Sequence, residues 1–248
     1  MDGRPRVAIV TGGSSGIGFA VGQRLVARGY DVVLTARTEA TLVAAADGIG
    51  ARAVAADSAD PDAFAAVVRA AGRVDLLVHA AGIMQGTFVR KESLATVETV
   101  LRTNLTSAFV VAHAALPAML AGGRLVFLSS SSAHAPQPGK AAYSASKAGL
   151  NAFALALGKE VERDGVSVHV VTTGPVATPM LDDVRFPMRT LGVAEVADAI
   201  VWLDSLPGNV VLPELTLSSV DAGPFAPEPY VPKAARQLGR TELPPQQR

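Results

Sequence analysis

Val7-Ala-Ile-Val-Thr11 runs directly into Gly12-Gly-Ser-Ser-Gly16-Ile-Gly18, joining a strand-like apolar run to a glycine-rich turn and then to a helix-like run, Gly16–Arg28. Glycines at 12, 16 and 18 let the backbone turn sharply and approach a ligand closely. A helix that starts in such a turn offers free N–H groups and the positive end of its dipole to a phosphate. The spacing is G-x-x-x-G-x-G rather than G-x-G-x-x-G. Its place between a first strand and a first helix marks it as a dinucleotide-type phosphate loop, with Gly12, Ser14, Ser15, Gly16, Ile17 and Gly18 as the contacting set.

The same alternation continues outward. Strands are predicted at Val7–Val10, Asp31–Thr35, Ala53–Ala56, Asp75–His79, Arg124–Leu128, Val166–Val171 and Glu214–Val220. Between them the spacing predicts helices over Thr38–Asp47, from Asp60-Pro61 to about Ala71, and over Ser93–Leu120, Tyr143–Arg163 and Ala194–Ser205. Near-continuous Val/Leu/Ile strands separated by helices imply a parallel sheet covered on both faces. The expectation is an α/β fold: a single-domain, Rossmann-type doubly wound parallel sheet of about seven strands over residues 1–222. From Gly223 onward the chain is rich in proline and charge. The tail 223–248 is expected to be mobile or packed on a partner subunit.

Composition excludes several classes. The 248 residues carry 22 basic and 22 acidic side chains, so there is no electrostatic case for nucleic acid or an anionic membrane. There is no cysteine, which removes disulfides, zinc-thiolate sites and thiol nucleophiles and fits a cytoplasmic protein. MDGRPRVAIVTGG lacks the apolar core of a signal peptide, and no apolar run approaches a membrane span. No His/Asp/Glu cluster suggests a metal.

In this kind of fold an acidic residue about 20 positions beyond the loop selects NAD, and an arginine there accommodates the extra phosphate of NADP. The second strand ends Thr35-Ala36-Arg37, with no carboxylate at its tip. A guanidinium suits phosphate recognition, so NADP(H) is expected over NAD. Further on, Tyr143-Ser-Ala-Ser-Lys147 places a phenol and an ammonium one helical turn apart. A fixed ammonium beside a phenol favours the phenolate, and such a pair can pass a proton to or from an alcohol or carbonyl oxygen.

With these motifs in order, residues 5–222 resemble the short-chain dehydrogenase/reductase family. Thr11–Gly18 matches its cofactor loop. Asp57, followed by Ser58, matches the acid at the adenine. His79-Ala80-Ala81-Gly82 stands where the family usually has Asn-Asn-Ala-Gly. Asn104, Ser130, Tyr143 and Lys147 match the catalytic tetrad, and Gly174-Pro-Val176-Ala-Thr178 matches the segment that holds the nicotinamide amide. Strand alternation puts Ser130 and Ser132 on one face; family spacing selects Ser130, with Ser132 as the fallback.

The resemblance implies an NADP(H)-dependent oxidoreductase that interconverts a carbonyl and an alcohol by hydride transfer. In it Tyr143 is the general acid/base, Ser130 orients the substrate oxygen, and Lys147 tunes the tyrosine and holds the ribose. Asn104 would position a water in a proton relay. The alternatives are a catalytically inactive dinucleotide-sensing protein and an NAD-preferring alcohol dehydrogenase of the same fold. The substrate is a small carbonyl or alcohol, and a homo-oligomer, dimer or tetramer, is implied. The segment after Thr178 stands at the family's lid, where Met180 and Phe186 are expected to line the pocket together with His134 from the loop after Ser130. Arg185 or Arg189 could receive an acidic substrate group. His79 is expected only to fill space.

Overall fold

The computed structural model describes residues 4–221 and 226–244. Its strands are β1 (Val7–Thr11), β2 (Asp31–Ala36), β3 (Arg52–Ala55), β4 (Val74–His79), β5 (Met119–Ser130), β6 (Ser167–Thr173) and β7 (Glu214–Leu217). They form one seven-stranded sheet in the order β3-β2-β1-β4-β5-β6-β7, every pair parallel. The chain steps outward from β1 to β3, then crosses back to place β4 on the other side of β1. Such a reversal leaves a crevice above the carboxyl ends of β1 and β4, where ligands bind in open α/β sheets.

Helices α1 (Gly16–Ala27), α2 (Glu39–Asp47), α3 (Pro61–Ala71), α4 (Leu94–Leu101), α5 (Ser107–Ala115), α6 (Ala141–Glu160) and α7 (Val193–Asp204) cover the sheet, and a short α8 (Lys233–Gln237) lies in the tail. The period-two alternation of the strands divides the core. Ile9, Val33, Leu77 and Phe127 face Phe64, Ala108 and Leu150 of α3, α5 and α6. Val10, Leu34, Leu76 and Val126 face Leu25, Leu42 and Ile200 of α1, α2 and α7. Both layers are fully buried, which is why the strands read as unbroken apolar runs. α3 starts as its sequence dictates: the Asp60 carboxylate accepts from the N–H groups of Asp62 and Ala63, each at 3.0 Å, and Pro61 occupies the first turn. At the amino ends of the strands Arg6 clamps Asp204 with two bonds of 2.8 and 2.9 Å, and Tyr30 donates to the same carboxylate. This ties β1 to the end of α7 on the side away from the crevice.

Two departures from the predicted elements matter. The stretch predicted as one helix, 93–120, is interrupted by a π-helical turn, Arg102–Thr106, between α4 and α5. An extra residue in one turn leaves apolar periodicity almost unchanged, so pattern reading passes over it. In its described part the tail pairs with its own chain. Tyr230 exchanges N–H···O bonds of 3.1 and 2.8 Å with Met188, Ala234 N–H donates to the Asp182 carbonyl at 2.9 Å, and Ala235 is fully buried. It straps the 179–189 segment of its own chain. Composition alone reads such a proline-rich stretch as unstructured because its order comes from long-range backbone pairing. Gly223, where the composition changes, lies outside the described residues.

Candidate active site

One cleft of about 770 Å³ opens above the carboxyl ends of the strands, from Arg37 and Asp57 at one end to Met180 and Phe186 at the other. At its floor β1 gives way to the glycine loop. Gly12 has φ +66°, and a Cβ built on Gly18 would lie 2.4 Å from the Gly12 carbonyl oxygen. Only hydrogen fits there, so the turn is closed on itself. The Ser15 side chain makes no capping bond to α1, which leaves first-turn N–H groups for an anion. Ser14, Ser15, Gly16 and Ile17 line the cleft with them.

Arg37 lines the same end and makes no hydrogen bond within the described chain, while its charge helps to lower the pKa of Asp57. Asp57 is more engaged than its sequence position indicates. Its oxygens accept from the Ala59 N–H at 3.0 Å and from Arg102 at 2.8 Å. Burial pushes this carboxyl up; the Ala59 and Arg102 bonds outweigh burial and hold it below the usual range. Ser58 is buried beside it and also lines the cleft. Across the floor lie Ala80, Ala81 and Gly82, and the front is crossed by Gly174, Val176 and Thr178. That segment is held by Gly174 N–H to the Leu217 carbonyl and by Ala177 N–H to the Leu191 carbonyl, 2.9 and 3.0 Å.

Midway along, α6 carries Tyr143 and Lys147, both only 6% exposed. Ser130, the last residue of β5, lines the cleft with Tyr143 and lies close enough to the phenol to act on its pKa. Ser129 turns instead to Asn151, at 2.5 Å, so alternation along β5 delivers Ser130 to the tyrosine. Lys147 Nζ donates to the Leu128 carbonyl at 2.8 Å and lies 6.0 Å from the Tyr143 ring centre. Here the pKa expectation needs correction. Burial dominates and raises the Tyr143 pKa, with Ser130 opposing it. The lysine itself is pushed down to about 8 by burial. At that separation, and engaged with a carbonyl, the ammonium does not overcome the desolvation of the phenol.

Asn104 sits in the π turn, fully buried, and does not line the cleft. Its Oδ1 accepts from Ile83 N–H at 2.8 Å, and its Nδ2 donates to the Ile83 carbonyl and to Ser146, at 2.9 and 3.0 Å. Both amide protons are engaged, so its side chain clamps the strand-β4 loop to α6. A Cβ on Gly82 would lie 3.3 Å from Asn104 Oδ1 and 3.6 Å from Lys147 Nζ, which is how close loop, asparagine and lysine come.

His79 does more than fill space. Ser107 donates to the Thr103 carbonyl at 2.6 Å, so its oxygen must accept from His79 Nε2, 2.9 Å away. His79 Nδ1 then accepts from Thr11 at 2.9 Å, and Thr11 accepts from Ala81 N–H at 3.1 Å. Burial, with Lys147 adding to it, lowers this imidazole to about 3, which keeps it neutral. The chain of bonds joins β1, the Ala80–Gly82 loop and the π turn. A single histidine in a strand gave no sign of this, because its two partners, Thr11 and Ser107, are distant in sequence.

His134, expected in the substrate pocket, faces elsewhere. Its Nε2 meets Glu214 at 2.8 Å and Asn151 at 3.2 Å, and it is absent from the cleft wall. The one-turn helix at Ser131–Ala133 rotates it toward β7. Arg189 is engaged with the Pro227 carbonyl, and neither it nor Arg185 lines the cleft. Met180 and Phe186 do line it, 41% and 48% exposed. Gln137 and Lys140 also line it and were missed; they carry no motif and reach the cleft only through the fold of the 131–140 loop. Among the described residues no group of His, Asp and Glu could hold a metal ion, and no helix is long and apolar enough to cross a membrane.

Comparison with known proteins matches residues 6–188 to the short chain dehydrogenase family. Acetoacetyl-CoA reductase of Cupriavidus necator is 36% identical over 223 residues, covering 81% of this chain and 91% of that protein. The 3-oxoacyl-[acyl-carrier-protein] reductase FabG of Escherichia coli is 35% identical over 219 residues, covering 81% and 90%. Among solved structures, BdcA in complex with NADPH superposes with a TM-score of 0.78 at 31% identity, over 86% of this chain and 93% of that one.

Proposed function

The chain belongs to the short chain dehydrogenase family of oxidoreductases, and from that premise we propose that it is an NADP(H)-dependent reductase of small ketones or aldehydes, running in reverse as an alcohol dehydrogenase. The observation that carries the reading is the convergence of Ser130, Tyr143 and Lys147 in the same cleft as the glycine loop. The residues present fit the cofactor. The Gly12–Gly18 turn and the uncapped start of α1 suit a pyrophosphate, and the unengaged Arg37 suits the additional phosphate of NADP. Asp57 and Ser58 would border the adenine, Tyr143 and Lys147 the second ribose, and Val176 and Thr178 the nicotinamide amide, with Ala80, Ala81 and Gly82 beneath. A nearby like-sized relative solved with NADPH supports the same choice.

When bound, NADP(H) supplies or accepts the hydride. The remaining chemistry belongs to this chain. Tyr143 gives its phenolic proton to the substrate oxygen as negative charge develops there. Ser130 donates a hydrogen bond to that oxygen and fixes its position. Lys147 would hold the ribose hydroxyls and, close to its pKa at neutral pH, can give a proton back toward the phenol beside it. Asn104 acts by clamping the Ile83 loop against α6, which keeps Lys147 in register. The exposed Phe109 on α5, its ring 3.9 Å from that of Phe153 on α6, marks the face on which a homo-oligomer is proposed.

NADPH oxidation against a panel of ketones and aldehydes tests the proposal. Tyr143→Phe is expected to lower kcat on the order of 1000-fold with NADPH affinity retained. Unchanged turnover in that variant would sink the mechanism, and NADPH binding with no turnover of any carbonyl would favour the sensing protein instead.

A further inference from the structure

Three cations line the cleft among the described residues: Arg37, Lys140 and Lys147. Arg37 stands at the Asp57 end, and Lys147 is held by the Leu128 carbonyl beside the tyrosine. Lys140 has no such assignment. It precedes α6 as its N-cap residue, so Lys140, Tyr143 and Lys147 follow one another at i, i+3 and i+7 along one side. Lys147 is held at the Leu128 carbonyl near Gly82, while Lys140 stands at the start of α6, lining the same cleft with Gln137 and Met84.

The Lys140 backbone is fixed: its N–H donates to the Gln137 carbonyl at 3.2 Å and its carbonyl accepts from Ser144 at 2.8 Å. Its ammonium, by contrast, has no hydrogen-bond or ion-pair partner in the described chain. It is only partly exposed, and burial pulls its pKa below the usual lysine range with no carboxylate offsetting this. A partly desolvated ammonium without a counter-ion is unfavourable in the free protein and is relieved when an anion arrives. The two arginines that the sequence offered for an acidic substrate group do not reach the cleft. The carboxylates that line the cleft among the described residues are Asp57 and Asp183, and neither makes an ion pair with Lys140.

Resting on the reading of the cleft as a carbonyl-reductase site, we propose that Lys140 is the anion receptor of the substrate pocket, and that the preferred substrate is an oxo acid whose free carboxylate lies a few bonds from the carbonyl carbon. With the carbonyl oxygen at Tyr143 and Ser130, a carboxylate one helical turn away meets the ammonium. The apolar part of a short acid then rests on Met180 and Phe186. This differs from a thioester substrate, whose phosphates lie far from the reacting carbon and would gain nothing from a charge at this position.

The experiment compares kcat/KM for 3-oxobutanoate and 4-oxopentanoate with that for their methyl esters, and for acetoacetyl-CoA, in wild type, Lys140→Met, Lys140→Arg and Asp183→Asn. The acid-to-ester ratio is expected to exceed 10 in wild type and to fall about tenfold or more in Lys140→Met. Lys140→Arg is expected to keep it within about threefold, and Asp183→Asn to raise it. A ratio near one in wild type, a ratio indifferent to Lys140→Met, or turnover confined to the thioester overturns the proposal. Should no carbonyl be reduced, the reductase reading fails, and titration of the NADP⁺ complex with 4-oxopentanoate still decides the site. Binding that is lost in Lys140→Met and kept in Lys140→Arg supports the anion receptor; binding that is absent or indifferent to Lys140 removes it.

Discussion

The nucleotide half of the cleft and its substrate half are built differently. The first is made of backbone: a turn in which a Cβ on Gly18 would lie 2.4 Å from a carbonyl oxygen, a helix start without a side-chain cap, and a strand tip bearing Arg37. The second is made of side chains on the 179–189 segment, half exposed at Met180 and Phe186, and held from outside by the strap at Tyr230 and Ala234. One half is dictated by regular βα geometry and leaves little room for change. The other depends on two irregular stretches, distant in sequence, bracing each other. The comparison teaches why a fold of this kind keeps its cofactor while varying its substrate: the two tasks rest on separate supports.

The sharpest attempt to break that separation is Gly18→Ala. Its methyl group must displace backbone inside the turn, so KM for NADPH is expected to rise about 100-fold, with stability reduced by ~1–3 kcal/mol. Steady-state kinetics that showed the carbonyl KM rising just as far would mean the halves are one unit. Next in size is Arg37→Asp, in which a charge-assisted phosphate contact becomes a repulsion. The ratio of kcat/KM for NADPH to that for NADH is expected to fall about 30-fold, and an unchanged ratio would remove Arg37 from the argument.

His79→Asn probes the junction between the halves through pH. The folded imidazole has a pKa of about 3, against 6.5 for the ordinary group. The unfolded chain therefore binds more protons in that window. The stability from the neutral buried ring is complete above pH 6.5 and is lost as pH falls toward 3. Going from pH 7.5 to 5, wild type should lose ~2 kcal/mol that the asparagine variant does not lose. Urea unfolding at the two pH values measures this, and parallel losses in both proteins would show that His79 is not the buried neutral group described. The smallest effect is expected from ending the chain after Asp221. Without the strap, the carbonyl KM should rise about fivefold while KM for NADPH moves less than twofold. An equal rise in both would tie the tail to the whole cleft.

Legibility followed the same division. The strand–loop–helix start and the parallel sheet could be read because each rests on local spacing that hydrophobic periodicity and glycine geometry impose, and the resemblance to the family picked out Ser130, Tyr143 and Lys147, which line one cleft. What escaped was non-local. His134 was expected in the substrate pocket and instead meets Glu214 across 80 residues of chain. Arg102 holds Asp57 across 45 residues, and His79 bridges Thr11 and Ser107. The π turn that seats Asn104 leaves no mark on apolar periodicity. Lys140 had no motif to announce it, and its lack of a partner is visible only once every neighbour is placed.

By itself, then, the sequence determined the order of strands and helices, the phosphate turn and the residues that meet at its carboxyl edge, because those depend on interactions a few residues long. Only the tertiary structure decided which charges stay unpaired, how the tyrosine and lysine titrate, and what supports the lid. Desolvation and pairing are properties of a group's full surroundings, and those surroundings come from segments that the chain brings together only on folding.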